Sequence, residues 1–304
     1  MEKRILITGA TGLIGKELLK KLTEIDTNKV FVTIKDINYI IADSYSSSKI
    51  KFIETNLNKT NFTEKLPKNL DTIIHLAQSP YYKSFPNNVD DVFKINVKAT
   101  FELVEFAREN NCKNFFFASS GSVYDNSIEG NMPLTEVSKL KINSSDIYSA
   151  SKIAAESLIS PYSKYLNVMI GRIFFPYGFK QNRKMFFSRI IDMVNNGEEI
   201  KIYGEKGLLF NPANVENVAL SILKLVDRER SILSNIVSQD FLSLLEYIEM
   251  ISDIIQKKPI IKFEEEDNNM QDFRAKSLYL EYPFSDENYF HLRNFIKNYR
   301  DEFL

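Results

Sequence analysis

Apolar residues along the first 175 positions of the chain follow two alternating patterns. Short continuous apolar runs, bounded by polar residues or glycine, predict buried strands. Segments in which apolar residues recur every three or four positions predict helices with one buried face. The predicted strands cover residues 5–7, 30–34, 51–53, 72–77, 115–120 and 168–174, and the predicted helices begin after residue 15 and cover residues 92–108 and 148–158. Strands that alternate with helices predict an α/β fold with a doubly wound parallel sheet.

Three glycines at three-residue spacing follow the first predicted strand, which ends at Thr8. They stand where the first helix begins, and the free N–H groups and dipole of a helix N-terminus favour an anion. Gly9 would allow a tight turn, Gly12 the approach of a pyrophosphate, and Gly15 close packing of helix on strand. The pattern predicts a dinucleotide site. A glycine-rich turn that only connects a strand to a helix is the alternative interpretation.

Asp36 lies just after the second predicted strand, 21 positions after Gly15. In a dinucleotide-binding fold an acid at this place binds the adenosine ribose hydroxyls and repels a 2′-phosphate, which favours NAD over NADP. The neighbouring Lys35 argues in the opposite direction, because a lysine can bind that phosphate. An ordinary turn residue at a strand end is the alternative for Asp36.

The alternation of strands and helices becomes less regular after about residue 175. Helical spacing covers residues 185–194, 215–226, 242–255 and 289–299, and one short strand covers residues 201–203. We therefore predict a dinucleotide-binding Rossmann domain at residues 1–174 and a smaller C-terminal α/β substrate lobe at residues 175–304, of which about 212–240 pack back onto the first domain. The lobe is expected to close over the carboxyl edge of the sheet, where ligands of open parallel sheets bind.

Composition narrows the range of partners. The 304 residues are 44% hydrophobic and carry a net charge of −1, which indicates a folded protein with no electrostatic preference for nucleic acid or an anionic membrane. One cysteine and two histidines exclude an intrachain disulfide framework and argue against a metal site. No apolar run approaches the ~20 residues of a membrane span, and the first strand follows the N-terminus directly. We expect a cytoplasmic protein without a signal peptide.

Tyr148 and Lys152 lie four residues apart on a predicted helix, so their side chains share one face. The Lys152 ammonium is expected to lower the pKa of the Tyr148 phenol from ~10, which would make it an acid and base near neutral pH. An ordinary surface pair has the same spacing. Ser120, at the end of the fifth predicted strand, makes the pattern more specific because its hydroxyl can bind the substrate oxygen that Tyr148 protonates.

In this order, the glycine turn, the serine at a strand end and the Tyr-x-x-x-Lys pair resemble the extended branch of the short-chain dehydrogenase/reductase superfamily. That branch contains NAD-dependent nucleotide-sugar epimerases, dehydratases and 4-ketoreductases, and the resemblance covers residues 3 to about 226. The motifs are similar to the family's TGxxGxxG at residues 8–15, Asp-Leu at 56–57, HLAA at 75–78, NxxGT at 96–100, SSxxVYG at 119–124, RxxNxYG at 172–178 and a segment ending VxDVA at 211–219.

The resemblance implies NAD as the cofactor and a nucleotide-diphosphate sugar as the substrate. Tyr148 would exchange the proton of the sugar hydroxyl or ketone, Lys152 would hold the nicotinamide ribose, and Ser120 would orient the reacting oxygen. The implied cofactor-binding residues are Gly9, Thr11, Gly12, Leu13, Ile14, Gly15, Asp36, Asn56, Leu57, Leu76, Ala77, Gln78, Asn96, Tyr148, Lys152 and Phe174. The implied substrate-binding residues are Tyr81, Ser120, Ser122, Tyr148, Phe175 and Arg183.

Several positions depart from the family's pattern. Ser120-Gly121-Ser122 stand where dehydratases carry Thr-Asp-Glu, and the absence of an acid there favours simple hydride transfer over loss of water. Phe175 replaces an Asn that often helps to hold the diphosphate, and Phe210 lies near a position where many members have an Arg for it. Arg183 is a candidate replacement from a different loop.

The leading hypothesis is an NAD-dependent nucleotide-sugar epimerase, with reversible hydride transfer at sugar C4 through a 4-keto intermediate. An NAD(P)-dependent nucleotide-sugar 4-ketoreductase or 4-dehydrogenase would use the same residues, and a non-catalytic nucleotide-binding regulatory protein is an alternative of another class. The resemblance also implies a homodimer through the helices at about 92–109 and 148–160. His75, at a strand end, is expected to be structural.

Overall fold

The computed structural model describes residues 2–25, 28–36, 49–126, 132–141, 146–265, 272–280 and 288–304. The chain forms two compact units, each assembled from three segments. Unit 1 consists of Met1–Val123, Leu140–Ile173 and Ala219–Ser234, and unit 2 consists of Tyr124–Lys139, Phe174–Val218 and Asn235–Leu304. The sequence analysis predicts a single boundary after residue 174, and that division stays a prediction.

The strands are β1 (Lys3–Thr8), β2 (Asn28–Ile34), β3 (Ile50–Glu54), β4 (Thr72–His75), β5 (Asn114–Ser120), β6 (Asn167–Ile173), β7 (Pro176–Tyr177), β8 (Glu199–Tyr203), β9 (Leu209–Phe210), β10 (Ala213–Asn214), β11 (Ile232–Ile236), β12 (Leu242–Ser243) and β13 (Ile260–Glu264). The helices are α1 (Leu13–Thr23), α2 (Val89–Val92), α3 (Ala99–Glu109), α4 (Ile147–Ile159), α5 (Phe186–Asn196), α6 (Val215–Val226), α7 (Leu244–Ile255) and α8 (Asn288–Phe303). A π-helical stretch, Phe93–Lys98, joins α2 to α3.

Seven strands form the main sheet, in the order β11-β6-β5-β4-β1-β2-β3. Strands β1 to β6 pair in parallel. The order changes direction between β1 and β4, which is the switch point of a doubly wound sheet. The predicted α/β fold with a doubly wound parallel sheet is therefore confirmed.

Consecutive apolar residues in the central strands reflect a sheet that is covered on both faces. Phe115, Phe116 and Phe117 follow one another in β5 and all three are buried. Neighbouring side chains of a strand point to opposite faces, so helices or loops cover both sides of the sheet. The core of unit 1 also includes Leu103 from α3 and Ile159 from α4.

The helix that carries the Tyr148–Lys152 pair begins at a side-chain cap. Asp146 stands at the N-cap of α4, and its carboxylate accepts hydrogen bonds from the Tyr148 N–H at 3.1 Å and the Ser149 N–H at 3.2 Å. An aspartate cap satisfies N–H groups that have no partner inside the helix. The start of the helix, and with it the backbone of Tyr148, is therefore fixed.

Unit 2 combines helices with short two-stranded sheets. Strand β8 pairs in parallel with β13, and β9 pairs antiparallel with β12. Its core contains Phe187, Tyr247 and Phe295, from α5, α7 and α8. This composition agrees with the predicted smaller α/β lobe. None of the helices in the described part of the chain combines the length and the apolar character needed to cross a membrane.

Candidate active site

The glycine turn between β1 and α1 has a shape that only glycine allows. Gly9 has a φ of +75°, and a Cβ there would lie 2.6 Å from the backbone N of Ala77. A Cβ on Gly15 would lie 2.2 Å from the carbonyl oxygen of Gly9. At Gly12, by contrast, a Cβ would meet only that oxygen, at 3.3 Å, so little protein fills the space in front of this residue.

This turn fits a pyrophosphate. Gly12 is the N-cap of α1, has no side chain and makes no side-chain cap. The first N–H groups of a helix lack intrahelical partners and point along the helix axis toward an anion. The open space at Gly12 is where such an anion would approach, so the residues present fit the cofactor that the sequence predicts.

The other predicted cofactor residues of unit 1 lie at the carboxyl ends of strands next to β1 or on α1. Because these strands are parallel, their carboxyl ends share one edge of the sheet. Asp36 follows β2 and is exposed, Asn56 and Leu57 lie shortly after β3, Leu76, Ala77 and Gln78 follow β4, and Thr11, Leu13 and Ile14 lie at the start of α1. Their contacts with a cofactor stay predictions.

Asn96 is buried and its amide is used inside the protein. Its Oδ1 accepts a hydrogen bond from the Ser79 N–H at 2.8 Å, and its Nδ2 donates to Ser151 Oγ at 3.0 Å. Ser151 Oγ in turn donates to the carbonyl oxygen of Tyr148 at 2.7 Å. Asn96 thus links the segment after β4 to the helix that carries Tyr148, and its direct contact with a cofactor stays a prediction.

The three predicted catalytic residues come together in unit 1. The Tyr148 hydroxyl is hydrogen-bonded to Ser120 at the end of β5. Lys152 lies one helical turn after Tyr148, and its Nζ is 5.8 Å from the centroid of the Tyr148 ring. The same Nζ donates to the carbonyl oxygen of Ala118 at 2.7 Å and lies 4.8 Å from the centroid of the Phe117 ring.

One expectation about this group is wrong for the protein on its own. Burial raises the pKa of the Tyr148 phenol to about 12 and outweighs the hydrogen bond from Ser120, which lowers it. Burial also lowers the pKa of Lys152 to about 8, although the Glu156 carboxylate opposes this change. The residue spacing indicated the shared helix face correctly. The pKa of Tyr148 rises because desolvation of the phenolate is the larger effect.

A buried ion pair lies behind the catalytic residues. Arg172 on β6 makes two contacts with the Glu156 carboxylate, from Nη2 at 2.6 Å and from Nε at 3.1 Å. The Ser119 hydroxyl donates to the same carboxylate. Glu156 lies one turn after Lys152 and Ser119 precedes Ser120, so this pair connects both catalytic elements. The sequence analysis did not predict it.

His75 is buried between two threonine hydroxyls. Its Nδ1 is 2.6 Å from Thr8 Oγ1 and its Nε2 is 2.9 Å from Thr100 Oγ1. The Thr100 hydroxyl donates to the Asn96 carbonyl oxygen, so we assign the ring proton to Nε2. Burial, and to a lesser degree the charge of Lys152, lowers the pKa of His75 to about 3. The ring is therefore neutral, as the expected structural role requires.

An aromatic residue that the sequence analysis did not select lies against Tyr148. The ring of Tyr82 is half-buried and its centroid is 4.9 Å from that of Tyr148. Its neighbour Tyr81, the predicted substrate contact, is 44% exposed. Two adjacent tyrosines in a loop give no sequence signal that tells which of them faces the site.

The remaining predicted substrate residues divide between the units. In unit 1, the Ser122 N–H donates to Ser120 Oγ at 3.2 Å. In unit 2, Phe175 has a φ of +33° and packs on Phe210, with ring centroids 5.2 Å apart. Arg183 is exposed and its Nη2 is 2.7 Å from Asp192 Oδ1. Their roles in substrate binding stay predictions.

Phe174, the last predicted cofactor residue, is buried in unit 2. Its ring stacks on Tyr124, with centroids 6.0 Å apart, and the Tyr124 hydroxyl donates to Asn235 Oδ1 at 2.7 Å. Among the residues whose positions are described, no group of three or more His, Cys, Asp or Glu side chains could hold a metal ion.

Comparison with known proteins agrees with this geometry. Residues 5–236 match the family described as "NAD dependent epimerase/dehydratase family". The uncharacterized UDP-glucose epimerase YtcB of Bacillus subtilis (strain 168) is 26% identical over 279 residues, which cover 86% of this chain and 84% of that protein.

Two solved structures share the fold over nearly the whole chain. UDP-N-acetylglucosamine 4-epimerase from Methanobrevibacter ruminantium M1, in complex with UDP-N-acetylmuramic acid, has a TM-score of 0.84 and 22% identity and covers 99% of both chains. MoeE5, in complex with UDP-glucuronic acid and NAD, has a TM-score of 0.79 and 24% identity and covers 98% of this chain and 99% of its own.

Proposed function

The chain belongs to the NAD-dependent epimerase/dehydratase family of enzymes, and we propose that it is a nucleotide-sugar 4-epimerase. The reaction inverts C4 of a sugar that is linked to a nucleoside diphosphate, through a 4-keto intermediate. NAD, when bound, supplies the acceptor and the donor of the hydride. The glycine turn at Gly9, Gly12 and Gly15, with its open N-terminal helix end, supports a dinucleotide as the cofactor.

The hydrogen bond between the Tyr148 hydroxyl and Ser120 is the observation that carries this proposal. It places a proton donor and acceptor beside a second hydroxyl, at the carboxyl end of β5, with the Lys152 ammonium one turn away. A sugar oxygen bound between the two hydroxyls would pass its proton to Tyr148 Oη and receive it back. Ser120 Oγ would hold that oxygen in place.

Tyr148 must become a base for this reaction, and its surroundings do not provide this in the protein alone. The pKa of about 12 leaves the phenol protonated at neutral pH. An additional positive charge nearby lowers the pKa of a phenol. The oxidised nicotinamide ring carries such a charge, so we expect Tyr148 to be an effective base only in the complex with NAD.

The residues next to Ser120 favour an epimerase over a dehydratase. Gly121 and Ser122 stand where dehydratases carry two acids, and neither can take up a proton from a sugar carbon. A net 4-ketoreductase or 4-dehydrogenase would use the same three residues and differ in releasing its cofactor after each turnover. Bound UDP-sugars in the two similar structures support a UDP-linked hexose as the substrate.

A homodimer is part of the proposal. Three apolar side chains on two neighbouring helical segments, Phe93, Phe101 and Leu158, are exposed in the single chain. Exposed apolar residues on adjacent helices are typical of a surface that another subunit covers. The cytoplasmic location and a role in carbohydrate biosynthesis stay predictions.

The activity is tested with UDP-glucose, UDP-N-acetylglucosamine and UDP-glucuronic acid, without added cofactor and with chromatographic separation of the C4 epimers. We expect many turnovers with one of them, together with stoichiometric NAD released from the denatured protein and identified by mass spectrometry. Turnover that requires added NADH or NADPH would favour the reductase. Bound NAD without turnover of any sugar nucleotide would favour the non-catalytic alternative.

A further inference from the structure

The catalytic tyrosine has a second aromatic neighbour in unit 1, in the segment after β4. The rings of Tyr82 and Tyr148 are 4.9 Å apart and tilted by 50°. This spacing lies within the 4.5–7 Å over which aromatic pairs attract one another in tilted or edge-on arrangements. The Tyr148 side chain therefore has two contacts of different kinds, with Ser120 at its hydroxyl and with Tyr82 at its ring.

The segment that carries Tyr82 is held by a buried serine. The Ser79 N–H donates to Asn96 Oδ1 at 2.8 Å, and the Ser79 hydroxyl donates to the carboxylate of Asp91. The Tyr81 N–H donates to Ser79 Oγ at 3.1 Å. Ser79 has no exposed surface. These bonds fix the backbone immediately before Tyr82, so the ring contact is defined by the fold.

A hydrogen bond to Ser120 restrains only one end of the Tyr148 side chain. The terminal torsion of a tyrosine is broad, so the ring can still turn about the axis through its hydroxyl. A second ring in contact with its face or edge removes this freedom. The precise placement of a reacting group matters, because a displacement of about 1 Å can cost ~100-fold in rate.

We propose that Tyr82 is a positioning residue, whose ring holds the Tyr148 phenol in the orientation in which its hydroxyl meets Ser120. The inference rests on the proposed function, because it assigns Tyr82 a role in the proton transfer at Tyr148. Tyr82 acts through its ring and not through its hydroxyl. Lys83 contributes from the same segment, since its Nζ lies 5.5 Å from the centroid of the Tyr82 ring.

Removal of the Tyr82 ring also changes the surroundings in which Tyr148 titrates. The charged or titratable groups around Tyr148 are Lys152 on its own helix, Asp146 at the N-cap and Tyr82 itself. Burial, Tyr82 and Asp146 all raise the pKa of Tyr148. Without the ring, water reaches the phenol, and we expect the basic limb of the pH–rate profile to move to lower pH.

Three variants test the proposal: Tyr82→Ala, Tyr82→Phe and, as a matched control, Tyr165→Ala, whose side chain is 71% exposed. We expect Tyr82→Ala to lower kcat at least about tenfold, with the affinity for NAD unchanged and the pH profile shifted. Tyr82→Phe keeps the ring and should retain kcat within about twofold. Tyr165→Ala should equal the unchanged protein in every measurement.

A second measurement needs no substrate. In protein labelled with ¹³C at the tyrosine ζ carbon, the Tyr148 signal is assigned by its loss in Tyr148→Phe. Tyr82→Ala should shift this signal, because the ring current of Tyr82 is removed and the phenol reorients, and the signal should keep a single narrow line in Tyr82→Phe. Tyr165→Ala should leave it in place.

The outcomes separate this inference from the proposed function. A Tyr82→Ala protein with unchanged kcat, pH profile and Tyr148 signal would overturn the positioning role, as would equal losses of kcat in Tyr82→Ala and Tyr82→Phe. If the unchanged protein turns over no UDP-sugar but its Tyr148 signal responds to Tyr82→Ala alone, the proposed activity fails and the ring contact stands. An unshifted signal in that protein would overturn the inference as well.

Discussion

Arg172 and Glu156 form an ion pair that is almost completely buried, with 4% and 6% of their side chains exposed and 2.6 Å between Nη2 and Oε2. It joins strand β6 to helix α4 and receives a third contact from the Ser119 hydroxyl. The catalytic Ser120 and Lys152 lie next to its two attachment points. The pair therefore fixes the distance between the strand and the helix that together form the candidate active site.

Replacement of Glu156 should destabilise the fold strongly. Glu156→Ala leaves the Arg172 guanidinium buried without a counter-charge, which typically costs about 3–5 kcal/mol of the free energy of unfolding. Urea denaturation measures this loss. The exposed pair Lys3–Asp227 offers a control, and Asp227→Ala should leave the denaturation midpoint nearly unchanged. Equal midpoints for the two variants would contradict a structural role for the buried pair.

Two glycines of the turn should respond differently to alanine. A Cβ on Gly15 overlaps the backbone at Gly9 and Ala10, so Gly15→Ala should lower the melting temperature. Gly12→Ala meets only one atom, at 3.3 Å, and should melt close to the unchanged protein. Because its methyl group occupies the space in front of the helix, Gly12→Ala should weaken NAD binding at least about tenfold by titration calorimetry. Normal NAD affinity in a well-folded Gly12→Ala protein would argue against a phosphate site at this turn.

Lys152 should make the stability depend on pH in the alkaline range. Its pKa is about 8 in the folded protein and about 10.4 when unfolded, so the unfolded chain binds more protons between these values. The free energy of unfolding contributed by this group therefore rises as pH increases from about 8 to about 10.4. Measured as the difference between the unchanged protein and Lys152→Met, the rise is on the order of 3 kcal/mol.

The comparison with Lys152→Met cancels the other groups that titrate in this range, including the thiol of Cys112, whose pKa burial raises to about 12. A difference in unfolding free energy that stays constant from pH 8 to pH 10.4 would mean that Lys152 is not desolvated as the structure indicates. A difference that falls with pH would mean that its pKa is raised.

The exposed apolar side chains on α3 and in the preceding π-helical stretch should be covered in a dimer. Phe93→Glu and Phe101→Glu place charges on that surface and should give a monomer in light scattering coupled to size exclusion. Phe263→Glu changes an equally exposed phenylalanine in unit 2 and should leave the mass unchanged. A monomeric unchanged protein at micromolar concentration would contradict the predicted homodimer.

The sequence predicted the main sheet well because parallel strands that are covered on both faces consist of continuous apolar runs. All six strands predicted before residue 175 are present, with ends that differ by a few residues. Strand β11 was not predicted, because Ser234 and Asn235 interrupt its apolar pattern although both are buried. Their polar groups are bonded inside the fold, which a hydropathy pattern does not show.

The same distinction applies to the candidate site. The four-residue spacing of Tyr148 and Lys152, and the place of Ser120 at a strand end, were sufficient to predict that they meet. The pKa of Tyr148 depends on how much water surrounds the phenol, which needs the packed structure. The contact with Tyr82 depends on a loop whose side-chain directions follow no period in the sequence.

The central claim is proton transfer through Tyr148, and the most direct test compares Tyr148→Phe with the unchanged protein. Both are assayed for C4 inversion of the UDP-sugar that is turned over, and both are titrated with NAD. Loss of a positioned acid and base should lower kcat about 100-fold or more, with the NAD affinity changed by less than about threefold. A Tyr148→Phe protein that inverts C4 at the unchanged rate would contradict the account.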